Sequence, residues 1–132
     1  MIKASVGVIV GFLLWFAAAT VGNLLVRALI PNYHAAEALM AFTLPMLLAR
    51  LAVGAFSSVV AGFACAYIAG PARQAIYVLA LILVLFFLPV HYRLLAKFPL
   101  WYHLVFLGTL APLIIAGGAL RGRLSTQEVA AP

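Results

Sequence analysis

Three histidines and one carboxylate are the residues best suited to chemistry in this chain. His34 and Glu37 lie in "PNYHAAE"; His91 and His103 lie in "LPVHYRLLAKFPLWYHLVF" with Arg93, Lys97, Tyr92, Trp101 and Tyr102. Imidazoles from separate segments with one carboxylate are a donor set for a divalent metal, which makes His34, His91, His103 and Glu37 the candidate ligands. Two imidazoles, His91 and His103, are equally a candidate cofactor site for a haem, with Arg93 or Lys97 facing its propionates. A pocket for a quinone or a lipid headgroup is a further use of the same residues. Against these stands ordinary anchoring, because Trp, Tyr, Lys and Arg are what any membrane interface collects, and the histidine spacing matches no metal signature. The stretch from Leu88 to Phe106 is therefore read first as a hairpin turn, with His91 and His103 close together and His34 apart. No particular cofactor is implied.

The elements that must carry these residues are set by the solvent. With 68% hydrophobic and 8% charged residues and a mean hydropathy of +1.25, the chain is unable to cover a water-facing surface, for which roughly 25% charged residues are usual. Charges divide it into apolar runs. There are 23 uncharged residues between Lys3 and Arg27, 22 between Arg50 and Arg73, 19 between Arg73 and Arg93, and 23 between Lys97 and Arg121. Each run matches the roughly 20 residues that a helix needs to cross the hydrocarbon layer. The runs are continuously apolar rather than alternating, which argues for helices over barrel strands. The expected fold is all-α: a polytopic integral membrane protein of four transmembrane helices in an antiparallel bundle. The spans are placed near 6–29, 45–68, 75–90 and 101–120, in one domain over 1–132 with a polar tail at 121–132.

Small residues predict how these helices meet. Gly7, Gly11, Ala18 and Gly22 fall within an arc of about 60° on the first span. Gly54, Ser58 and Gly62 lie in an arc of about 100° on the second, together with Ala61, Cys65 and Ala69. Such stripes let backbones approach closely in lipid, either between the first two spans or at a homodimer face. The loop "GPARQ" makes the second and third spans antiparallel neighbours, and Pro89 and Pro112 bend their helices. Asn23 is expected to act as interhelical hydrogen-bond glue, Arg27 to snorkel or pair with Glu37, and Arg50 to reach headgroups. Trp15, near mid-span, needs an acceptor for its indole N–H.

Absences narrow the function. The two acidic residues are Glu37 and Glu128, neither within a span, so proton-coupled transport through an intramembrane carboxylate has no candidate. One cysteine and three methionines poorly suit soft-metal transport. "GAFSSVVAG" lacks a nucleophile elbow, and no phosphate-binding glycine loop is present. Eight basic residues sit singly at the ends of apolar runs, which speaks for phosphate headgroups and against nucleic acid. Lys3, the following apolar run and Ala17 to Thr20 imitate a secretory signal, but the run continues through "VGNLLVRALI" as a spanning helix does. The expected partners are the lipid bilayer and a homodimer or larger membrane complex. The expected function is that of a small non-enzymatic transporter-like component or accessory subunit of a membrane assembly. The alternative is a haem-, metal- or quinone-binding redox protein. Positive charges clear of the spans, Lys3, Arg73, Arg121 and Arg123 against Arg93 and Lys97, favour a bacterial inner membrane protein with both termini cytoplasmic.

Overall fold

The computed structural model describes residues 1–131; Pro132, the end of the expected polar tail, lies outside the described residues. The described chain is all-helical, with α1 Ile2–Leu29, α2 Tyr33–Leu39, α3 Leu44–Ala69, α4 Gln74–Leu94 and α5 Leu100–Ala130. Helices α1, α3, α4 and α5 are long and apolar enough to cross a membrane.

Local chemistry explains most boundaries. Thr43 enters α3 in an extended conformation with a proline in the first turn, where its missing N–H costs nothing. The same helix stops at Gly70, whose φ of 65° a Cβ would disfavour. The seven-residue α2 lies between the spans where a loop is expected from sequence. Its "YHAAEAL" is rich in helix formers, and it is bounded by left-handed Asn32 and Met40, with φ of 62° and 53°. Segment 121–130 is a further difference. The chain continues α5 as helix to Ala130 instead of leaving it as a tail, because "RGRLSTQEVA" contains no proline and one glycine. Arg121 and Glu128 pair at 3.7 Å along this extension.

The glycines fix the direction of packing. Gly7 faces Cys65 and Ala69, Gly11 faces Ala61 and Cys65, and Gly22 faces Val53, so α1 and α3 run in opposite directions. Gly54 faces Phe106, Gly62 faces Ile114, and Gly117 faces Val59 and Phe63, so α5 runs parallel to α3. These two pairs, α1 with α3 and α3 with α5, are the most extensive helix contacts. Helix α4 packs mainly on α5 and less on α3, although a short loop joins it to α3. The small-residue face of α3 explains this. It admits the backbones of α1 and α5, while α4, rich in Leu and Phe, closes the remaining side with larger side chains. Ala18 is only half-buried. Leu79, Leu83, Leu110, Ile114 and Cys65 are almost fully buried at the centre.

Candidate functional site

At the end of the molecule that holds α2 and the α4–α5 turn, polar side chains from three helices, α1, α2 and α3, form one connected network. Arg50 Nη1 donates to the Tyr33 hydroxyl at 3.0 Å, and that hydroxyl donates to Asn23 Oδ1 at 3.1 Å. Asn23 Nδ2 donates to Glu37 Oε1 at 3.0 Å, and Glu37 Oε2 accepts from Arg27 Nε at 2.7 Å. A second Arg27 contact, Nη2 to the same Oε2 at 2.6 Å, makes this a close charge-assisted pair centred on one carboxylate oxygen. Burial pushes the Glu37 carboxyl up, but the Asn23 and Arg27 hydrogen bonds and the Arg27 and Arg50 charges outweigh it, so its pKa is lowered. Arg50 Nη1 is 4.0 Å from Glu37 Oε1, and its guanidinium lies 4.8 Å from the centroid of the Phe42 ring. Its Nε is buried with no hydrogen-bond partner.

Beside this network the α4–α5 turn brings two imidazoles into contact. His91 Nδ1 and His103 Nδ1 are 2.7 Å apart, and both residues are buried. One nitrogen must donate and the other accept, so the pair holds a single proton between the rings. Phe106 stacks on His91 at 4.5 Å, and His103 Nε2 is buried without a partner.

Between the network and the core lies a cavity of about 270 Å³. Asn23, Glu37, Arg50, His91 and Tyr102 supply its polar lining, and Trp15, Phe87 and Phe106 its apolar lining. The deeper wall is internally satisfied: Trp15 Nε1 donates to Ser58 Oγ at 3.0 Å, and Ser58 donates to the Gly54 carbonyl at 2.7 Å. This is the acceptor that a mid-span tryptophan requires.

His91 and His103 lie close together and His34 apart, as the short α4–α5 turn suggests, and the four candidate metal ligands are not brought together. His34 is exposed, and Glu37 is committed to Arg27 and Asn23. Among the described residues no three His, Cys, Asp or Glu side chains could hold a metal ion. The contact between His91 and His103 is also that of a hydrogen bond, shorter than the roughly 3.3 Å separating two nitrogens that share a tetrahedral zinc. A bis-imidazole iron would need them wider still. Arg93, two residues beyond His91, is exposed and does not join the pair.

Arg27 and Glu37 meet as their spacing suggested, but Arg50 behaves differently from its sequence expectation. Rather than reaching outward to headgroups, it turns inward. The signal was available: Arg50, Gly54, Ser58 and Gly62 recur every four residues on one helical face, and that face is the packing face. Tyr33, which is fully buried, bridges α1 and α3 in a way that no linear spacing announced. No protein-family model, curated protein or solved structure matches this chain.

Proposed function

We propose that this protein is a non-enzymatic integral membrane protein, an antiparallel four-helix transmembrane bundle whose cavity holds the polar head of an amphiphile. It would serve as a transporter-like component or an accessory subunit of a larger membrane assembly. The observation that carries this reading is the cavity itself, polar on the side of Arg50, Glu37 and His91 and aromatic on the side of Trp15, Phe87 and Phe106. Small-molecule sites have this makeup, mostly apolar with a few convergent polar groups. Large apolar side chains such as Leu13, Leu81 and Leu104 are exposed around the outside, a surface suited to lipid. The charge distribution supports cytoplasmic termini in a bacterial inner membrane. Reporter fusions after Pro71 and Leu124 are expected to read cytoplasmic and one after Lys97 periplasmic; the reverse pattern refutes the orientation. For the cavity, the protein purified in neutral detergent is expected to retain or rebind an amphiphile with quenching of Trp15 fluorescence, measured in a Trp101→Phe background. Ligand retention in native mass spectrometry that is unchanged when Val90→Trp fills the cavity mouth refutes it.

A second reading, a quinone-binding redox protein, is favoured by one observation: the hydrogen-bonded His91–His103 pair adjoins the cavity. A pair holding one proton between two rings is suited to exchanging protons with a bound redox-active head.

A further inference from the structure

We infer that the cavity selects an anionic head, a carboxylate or phosphate on a single hydrocarbon chain, and that the Arg50 guanidinium is what binds it. This rests on the reading of the cavity as an amphiphile site. The first support is charge. Two guanidinium groups, Arg27 and Arg50, meet one carboxylate, and Glu37 is taken closely by Arg27 at 2.6 Å while Arg50 stands 4.0 Å away. A partly buried cation is left without a close counter-charge, in surroundings of low dielectric where pairing matters most.

The second support is the donor inventory. Arg50 spends Nη1 on Tyr33 and its Nε is packed against protein, which leaves Nη2 as the donor for a ligand in the cavity that Arg50 lines. A guanidinium is a common carboxylate- and phosphate-binding group, since it is always charged and its N–H groups only donate. Arg50, Tyr102 and His91 line the same cavity, so further donors are at hand for the oxygens of one head. A neutral ring carbonyl would satisfy a hydrogen bond there but would leave the excess positive charge in place.

The third support is shape. About 270 Å³ equals roughly nine water molecules at about 30 Å³ each. That volume suits a head and a short length of chain rather than a two-chain lipid. The chain has an apolar path along Trp15, Phe87 and Phe106. It also has an exit: Ala19 and Asn23 of α1 and Val90 and Leu94 of α4 line the cavity, while the aromatic contacts joining these helices, Phe16 with Phe86 and Trp15 with Phe87, lie deeper. Val90 both lines the cavity and is 37% exposed on the outside, so it is the residue to enlarge when testing that exit.

The test uses the full chain in a neutral maltoside detergent, titrated with dodecanoate, dodecyl phosphate, dodecanol and decylbenzoquinone, with binding read by native mass spectrometry and thermal shift. Dodecanoate or dodecyl phosphate is expected to bind at least about tenfold more tightly than dodecanol, about 1.4 kcal/mol. That preference should fall to about one in Arg50→Gln and survive in part in Arg50→Lys, which keeps the charge but loses the fork. The two anions distinguish a lipid acid from a lipid phosphate. If Arg50→Gln does not fold, the anion-to-alcohol ratio of the unaltered protein decides. Equal binding of dodecanol or decylbenzoquinone overturns the anion inference and leaves the cavity reading standing. No binding of any of the four, or binding unaffected by Val90→Trp, overturns the cavity reading itself.

Discussion

Replacing Gly62 by alanine probes the closest helix contact in the molecule. An added Cβ would overlap the Ile114 carbonyl oxygen and stand 3.0 Å from Ile114 Cα, so the obstacle is the backbone of α5 and not a side chain able to rotate away. Helices α3 and α5 must separate, and Leu110 and Ile114, at most 2% exposed, lose contact as they do. Overpacking a tight core costs about 1–3 kcal/mol, and a backbone obstacle puts Gly62→Ala near 3 kcal/mol, a large part of a total of about 5–15 kcal/mol. At Gly11 the nearest atom is Leu79 Cδ2 at 2.6 Å, the end of a flexible side chain, followed by the Ala61 carbonyl oxygen at 3.0 Å. Gly11→Ala should therefore cost about 1 kcal/mol. Nothing lies within 4 Å of a Cβ at Gly108, so Gly108→Ala should be neutral or stabilise by up to about 1 kcal/mol through helix propensity. Gly62→Leu and Gly11→Leu enlarge these effects, whereas Leu13→Phe, at a site 61% exposed, should do little. The assay is reversible unfolding by SDS from mild detergent, followed by tryptophan fluorescence. Gly62 and Gly117 press on the same helix pair, so the double alanine variant should cost less than the sum of the singles. A Gly62→Ala protein as stable as Gly108→Ala would refute the α3–α5 contact.

Ser58→Ala leaves the buried Trp15 indole N–H without its acceptor and is expected to lower stability by about 1 kcal/mol in the same SDS titration; no loss would show that the Trp15–Ser58 bond contributes nothing. The lowered pKa of Glu37 predicts an acid limb. Its contribution is fully present above the ordinary carboxylate value of about 4.3 and is lost as pH falls through the lower folded value. Glu37→Gln, which abolishes that ionisation, should flatten the acid limb of a detergent melting profile and lower stability near neutral pH by about 1 kcal/mol; an unchanged acid limb would exclude Glu37 as its source.

The helical class and the four long helices were legible from the chain because hydrocarbon-length runs between single charges admit few alternatives. The stripe of Gly7, Gly11 and Gly22 was legible for a similar reason: helical periodicity puts these residues on one face whatever they meet. That the face meets the second span was one of the two readings the stripe allowed, and α1 does pack there on α3; that α5 packs on α3 as well was not legible. Gly54 and Gly62 lie near their α1-facing neighbours Ala61 and Cys65 in sequence, yet they receive α5, a choice also made by Gly117 of a helix far along the chain.

Arg27 and Glu37 are ten residues apart, so a turn between them brings them together with little loop entropy, and their pairing was readable. The short turn between α4 and α5 made the nearness of His91 and His103 readable too, whereas the Arg50–Tyr33–Asn23 relay depends on helix rotation and on where a seven-residue helix settles, quantities that hydropathy does not encode. The sequence by itself determined apolar helices, their approximate lengths and the faces open to close packing, because those follow from local composition and a fixed helical period. Only the tertiary structure decided that Arg50 turns inward, that the two histidine rings meet at hydrogen-bond distance and that a cavity remains beside Arg50 and His91, because these outcomes depend on the relative rotation of five helices at once.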